Sequence, residues 1–219
     1  DKRRFDTLQN ASRNIMIQLW YPGQRTKTKA KYILSSTLAK HLITSKYYGL
    51  DSSILFNLKS LVTNSFFNAQ IQPASEKYPL LLFSTGLGVT KANYTAIYEE
   101  LASYGIVILA IDHPYTGVTV LRNGKVVSME NLPREDFDQM MKDNLKDISF
   151  ILDQLNIESD LSKFIKNSID IASIGAAGHS IGGNLAMEAS IVDHRIKYSI
   201  NLDGGFFDHM KPKTVNSPC

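Results

Sequence analysis

Over residues 14–21 the apolar positions alternate, with Ile15, Ile17 and Leu19 on one side of the pattern and Met16, Gln18 and Trp20 on the other. A period near two turns successive side chains to opposite faces, so the segment predicts an early strand, stopped by Pro22-Gly23. A Lys/Thr-rich stretch follows, then two segments with helical spacing at 34–43 and 54–67, which together predict a helical insertion over 24–76. After Pro79 the run Leu80-Leu81-Leu82-Phe83-Ser84 is apolar without a break, the signature of a strand buried on both faces. Tyr94, Ile97, Tyr98 and Leu101 mark a helix that Gly105 ends, and Ile106-Val107-Ile108-Leu109-Ala110-Ile111 is a second buried strand, closing at Asp112-His113-Pro114. Asn123-Gly124 between two short β-rich runs predicts a hairpin. The stripe Phe137, Met140, Met141, Leu145, Ile148, Ile151, Leu152 and Leu155 has spacings of three and four, as on a helix that covers a sheet. Residues 171–177 are the next buried strand, 182–192 a helix and 197–202 a further strand. Strands that alternate with helices imply right-handed crossovers and a mostly parallel sheet in one domain over 1–219.

Composition narrows the function classes. The chain has 219 residues, a formal charge of +3 and 24 basic against 21 acidic residues, spread without basic runs. That distribution argues against nucleic acid as a partner. The one cysteine, Cys219, cannot make an internal disulfide, and no Cys/His cluster has zinc-site spacing, so no metal site is expected. No stretch of about 18 apolar residues is present to form a membrane-spanning helix. The chain opens on Asp1-Lys2-Arg3-Arg4 and closes on Ser217-Pro218-Cys219, which suggests two ends cut from a longer precursor.

The candidate chemistry lies in Gly178-His179-Ser180-Ile181-Gly182-Gly183, a G-x-S-x-G sequence where an apolar strand hands over to a helix. Such an elbow holds its serine in a strained backbone conformation, so the residues two before and two after it must be small. It also places the hydroxyl at a helix N-terminus, where backbone N–H groups favour a developing anion. A plain glycine-rich turn is the competing reading. A serine hydroxyl is barely acidic and needs a histidine held by a carboxylate, in the order Ser, acid, His. Asp203 follows the strand at 197–202, the position for the acid, although an aspartate before Gly204-Gly205 also suits an ordinary turn. The oxyanion donors would be the amide of Ile181 and that of Leu87, the latter between Gly86 and Gly88 in the loop after the first buried strand.

Taken together, Ile17-Gln18-Leu19-Trp20-Tyr21-Pro22, Lys77-Tyr78-Pro79, Phe83-Ser84-Thr85-Gly86-Leu87-Gly88, Leu101-Ala102-Ser103-Tyr104-Gly105, Asp112-His113, Ser168-Ile169-Asp170, the Ser180 elbow and Leu202-Asp203 resemble the platelet-activating-factor acetylhydrolase family. The resemblance runs from about Arg13 to Phe207. It implies an α/β-hydrolase fold, a mostly parallel central sheet with helices on both faces, incomplete at the C-terminus. It further implies Ser180 as nucleophile, Asp203 as triad acid, Leu87 and Ile181 as oxyanion-hole residues, no cofactor and a secreted or periplasmic location. Thr85 departs from the histidine usual before Gly-Leu-Gly, and the family's catalytic histidine is expected beyond residue 219. Of the five histidines, His41 lies in the insertion, His113 is expected to be a loop or packing residue, His179 to point away from the serine, and His194 to lie on the surface. His209 stands closer to Asp203 than the family's spacing allows.

The expected activity is cleavage of a carboxylic ester through an acyl-serine, on short or oxidised acyl esters of phospholipids. A broad carboxylesterase, dienelactone hydrolase or polyesterase shares the same elbow, and a non-catalytic binding module is the alternative from another class. The aromatic and apolar residues between Tyr47 and Phe67 either cap the core or touch a lipid surface. Nothing in the sequence sets the oligomeric state.

Overall fold

The computed structural model describes residues 13–205, apart from 34, 46–50, 52, 55–56, 58–59, 132–136, 156 and 158–159. Its strands and helices, in chain order, are β1 (Met16–Trp20), β2 (Lys29–Lys31), α1 (Ser36–Thr44), β3 (Val62–Phe66), β4 (Tyr78–Ser84), α2 (Thr95–Ser103), β5 (Val107–Asp112), β6 (Thr119–Val120), β7 (Val126–Val127), α3 (Phe137–Gln154), α4 (Asp160–Ser168), β8 (Ile169–His179), α5 (Ile181–Val192) and β9 (Ile196–Leu202). The main sheet has the order β1-β5-β4-β8-β9. β1 runs antiparallel to β5, while β5, β4, β8 and β9 are parallel neighbours.

The unbroken apolar runs become the strands at the middle of this sheet, because both of their faces are covered. Leu80 and Leu82 of β4, with Val107, Leu109 and Ile111 of β5, pack on one face against Met140, Ile148 and Leu152 of α3 and Leu185 and Ala186 of α5. Phe83, Ile108 and Ala110 pack on the other face with Trp20 and with Tyr94, Tyr98 and Ala102 from α2 and the turn before it. Helices therefore lie on both faces of a mostly parallel sheet, the α/β-hydrolase arrangement. β8 starts earlier than the sequence pattern indicates: Ile169 and Asp170 pair with Tyr78 and Pro79 before the register shifts. The 123–124 turn joins β6 and β7 as a hairpin, with Gly124 at φ 82°.

The insertion at 24–76 is not wholly helical. α1 overlaps the predicted 34–43 segment and ends one residue past it, and Ser53, Ile54, Asn57 and Ser60 are helical. The 54–67 pattern, however, runs into a strand: β3 pairs antiparallel with β2, with Lys29 opposite Phe66. From Val62 the burial alternates, Thr63 inside and Val62 and Asn64 outside, and the Thr63 hydroxyl donates to the Ala30 carbonyl at 3.0 Å. Helical spacing at Leu58 and Leu61 hid this change of period, and the β-branched Val62-Thr63 pair is the local signal that marks it.

Leu109 of β5 is fully buried, in the same core cluster as the apolar stripe of α3. Leu109→Ala is expected to lower unfolding stability by about 2–5 kcal/mol through lost transfer energy and the cavity left behind. Urea denaturation with an unchanged slope checks this, and a shift within about 0.5 kcal/mol contradicts it.

Candidate functional site

Between the last residue of β8 and the first of α5 stands Ser180 alone, at φ 55° and ψ −125°. A side chain in that region costs about 1–3 kcal/mol, and the surroundings must hold it there. The Ser180 amide donates to the Leu202 carbonyl at 2.8 Å, and the Ser180 carbonyl accepts from Gly183 at 2.9 Å and Asn184 at 3.3 Å. Main-chain contacts close the turn from the other side. A Cβ at Gly182 would overlap the Ser84 carbonyl and sit 2.6 Å from that of Thr85, and a Cβ at Gly178 would overlap the Gly182 carbonyl. The ends of β4 and β8 and the first turn of α5 are thus in backbone contact, which only glycine at both positions allows. The Ser180 hydroxyl does not cap α5 and has no hydrogen-bond partner among the described residues.

Asp203 follows β9 directly. His179 and Leu202 are register partners on adjacent parallel strands, so Ser180 and Asp203 are the next residues past a paired position. Asp203 also has positive φ, 58°, and its side chain is exposed without a hydrogen-bond partner among the described residues.

The loop after β4 turns at Gly88, φ 76°, whose amide donates to the Thr116 carbonyl at 2.8 Å. The amides of Leu87 and Ile181 have no acceptor among the described residues. Gly86 N–H donates to the Tyr94 hydroxyl at 3.1 Å, and that hydroxyl lies 2.9 Å from His179 Nδ1. Burial pushes the Tyr94 phenol up from its usual value, against a smaller opposing effect of the Gly86 bond, so it keeps its proton. With no other acceptor among the described residues, that proton goes to His179 Nδ1. Tyr94 therefore ties the loop to the residue preceding Ser180. The Thr85 hydroxyl is buried and without a partner among the described residues.

Beneath this loop runs a buried polar chain. His113 Nδ1 donates to Asp147 Oδ2 at 2.9 Å, and its Nε2 lies 3.1 Å from Ser84 Oγ. Arg13 grips both Asp147 oxygens at 2.8 Å and reaches Asn144 Oδ1 at 3.2 Å; Asn144 Nδ2 donates to Thr116 Oγ1 at 2.6 Å. Burial alone would raise the Asp147 pKa, but the hydrogen bonds from Arg13 and His113 outweigh it and hold the carboxyl down at about 2. His113 is a buried loop residue, as expected, and through these bonds it joins the end of β4 to α3.

Of the described histidines, His41 sits on α1, His113 is enclosed, His179 is engaged by Tyr94 and His194 is exposed. None hydrogen-bonds to Ser180 or Asp203, and His209 lies outside the described residues. Tyr94, Ser84, Arg13 and Asp147 were not read as site residues from the sequence. A signal existed for two positions: Asn144 and Asp147 stand between Met140 and Ile151 on the buried stripe of α3, where apolar residues are expected. Arg13 carries no local signal.

Comparison with known proteins shows the family. The family model described as platelet-activating factor acetylhydrolase, isoform II, matches residues 5–126, more than half of the chain. The chain belongs to the platelet-activating factor acetylhydrolase isoform II family. Within this acetylhydrolase family, the platelet-activating factor acetylhydrolase of Bos taurus is 28% identical over 90% of the chain and 51% of its own length. That of Canis lupus familiaris is 26% identical over 88% of the chain and 50% of its own length. The chain thus spans about half the length of these relatives. A solved structure, the ferulic acid esterase from Streptomyces cinnamoneus, superposes with a TM-score of 0.74 at 31% identity, over 93% of this chain and 56% of that one.

The Asp147 carboxyl, held at about 2, contributes stability that is present above the ordinary carboxylate value of about 3.9 and is lost as pH falls through about 2. Asp147→Asn is therefore expected to be strongly destabilised at pH 7, by roughly 3–5 kcal/mol. The gap to wild type should narrow by on the order of 2 kcal/mol between pH 5 and pH 2. Denaturation series across that range check this; a gap that stays constant contradicts it.

Proposed function

We propose that the chain carries the reaction centre of a serine hydrolase of carboxylic esters, with Ser180 as nucleophile and Asp203 as the acid that orients a histidine base. What supports the reading most is Ser180 itself: a strained residue with an uncommitted hydroxyl at the head of α5. Strain of this kind is kept where the position of a side chain matters.

The reaction follows from those atoms. The base takes the Ser180 proton as Oγ attacks the ester carbonyl carbon, and the carbonyl oxygen takes up the negative charge. The Leu87 and Ile181 amides donate to that oxygen, each worth about 3 kcal/mol in the transition state of comparable sites. The base returns the proton to the leaving alcohol as the ester C–O bond breaks, and the acyl group stays on Ser180. Water then attacks the acyl carbon by the same route, and the free acid departs. The proton transfers and charge are all handled by side chains and amides, so the scheme calls for no cofactor.

Family membership extends the reading to the substrate: short or oxidised acyl esters of phospholipids. A relative from Arthroderma benhamiae, 30% identical over 59% of the chain and 32% of its own length, bears the name probable 1-alkyl-2-acetylglycerophosphocholine esterase. Leu61, Val62 and Phe67, each about half exposed beside and on β3, are suited to rest against the lipid aggregate that presents such a substrate.

The test is hydrolysis of 4-nitrophenyl acetate in imidazole buffer, which supplies a diffusible base if the chain provides none. Ser180→Ala sets the background. A rate for the wild type at least about tenfold above that background is expected, and equality of the two ends the proposal. For the lipid surface, Val62→Ser/Phe67→Ser should retain less than about half of the wild-type binding to phosphatidylcholine vesicles in sedimentation; undiminished binding removes that part.

A further inference from the structure

Asp203 is a non-glycine residue with positive φ directly after β9, the outermost strand of the sheet among the described residues, and something must keep it there. The geometry points to Asn201 as the positioning residue for Asp203, an inference that rests on the ester-hydrolase reading above.

The Asn201 side chain turns back over the two residues that follow and takes hold of both main-chain groups of Gly204. Its Oδ1 accepts from the Gly204 amide at 2.8 Å, and its Nδ2 donates to the Gly204 carbonyl at 3.1 Å. Two bonds from one planar amide fix the orientation of the residue beyond Asp203 as well as its distance. The chain must therefore reverse within Leu202-Asp203, and Asp203 takes the positive φ of 58° that such a tight return demands. Aspartate tolerates that conformation better than most side chains.

The same amide reaches the elbow helix. Nδ2 lies 3.3 Å from Met187 Sδ and 3.5 Å from Asn184 Oδ1, both on α5. Close approach at two glycines shows how tightly this is packed: a Cβ at Gly183 or at Gly204 would overlap Asn201 Oδ1. A Cβ at Gly204 would also stand 2.6 Å from the Ser180 carbonyl oxygen. Asn201 thus joins the acid turn to the helix that begins at the nucleophile, beside the main-chain bond from Ser180 N–H to Leu202 O. Without the side chain, only main-chain bonds among the described residues, the β8–β9 pairing and the bond from Ser180 N–H to Leu202 O, remain to set the carboxylate at 203 relative to the hydroxyl at 180.

Residues that orient metal ligands through hydrogen bonds typically matter by about 10–100-fold, and the same order is expected of one that orients a triad acid. In the same imidazole buffer Asn201→Ala is expected to lower kcat for 4-nitrophenyl acetate by at least about tenfold and to leave KM within about twofold, since it moves the acid that orients the imidazole, whether this is a side chain or enters from the buffer, and not the donors that receive the ester. Amide hydrogen exchange at Gly204 should be slow in the wild type and fast in Asn201→Ala. Asn201→Asp, which keeps the acceptor for Gly204 N–H but loses the donor, should restore the slow exchange and part of kcat. A thermal midpoint measured on each variant identifies any loss that comes from unfolding alone; Asn201→Asp, with the same backbone and shape, keeps the question open to decision if Asn201→Ala fails to fold. Unchanged Gly204 exchange, or a kcat for Asn201→Ala within about twofold of wild type, overturns the inference. A wild-type rate no higher than that of Ser180→Ala overturns the ester-hydrolase reading, and this inference with it, and is separable from the case in which the wild type is active and Asn201→Ala is equally so.

Discussion

The structure around the site depends on one close approach: the carbonyl of Ser84, at the end of β4, lies against Gly182 in the first turn of α5. This contact leaves no room for a side chain at 182 and forces the chain to pass from strand to helix in the single residue 180. Strand β4, buried on both faces, supplies the fixed wall. Its position is set in turn by pairing with β5 and β8 and by the helices above and below. The strained φ of Ser180 is the consequence, and large-scale packing is what sustains it.

Two sets of polar bonds carry that rigidity into the loops. Ser84, His113, Asp147 and Arg13 link the end of β4, the loop after β5, helix α3 and the residues before β1. Tyr94 links Gly86 to His179. The loop that holds Leu87 is therefore fastened at its root by the first set and along its length by the second. Donors fixed before a substrate arrives need no reorganisation as charge develops, the condition under which backbone amides contribute most.

Much of this could be read from sequence where the constraint is local. The runs at 80–84 and 106–111 become buried parallel strands because burial on both faces demands apolar residues at every position. The turn at Ser180 was legible as a backbone shape because the glycines that permit it lie two residues away on either side. β3 was hidden because Leu58 and Leu61 continue a helical spacing up to the point where Val62 starts a strand. The polar chain beneath the loop was hidden for another reason: Arg13 and Asp147 are separated by 134 positions, and no local pattern records such a partnership. Residues that act through distant partners become visible only when the sheet brings them together.

Ser84, His113 and Asp147 also form, bond for bond, the spatial order of a hydrolytic triad, yet all three are sealed from solvent. A template search by side-chain geometry would select Ser84 over Ser180. The two serines differ in access: both stand at the same end of the sheet, but Ser84, the last residue of β4, is buried, whereas Ser180 on the strained turn is half-buried, and under the proposed reading only the second can meet an ester.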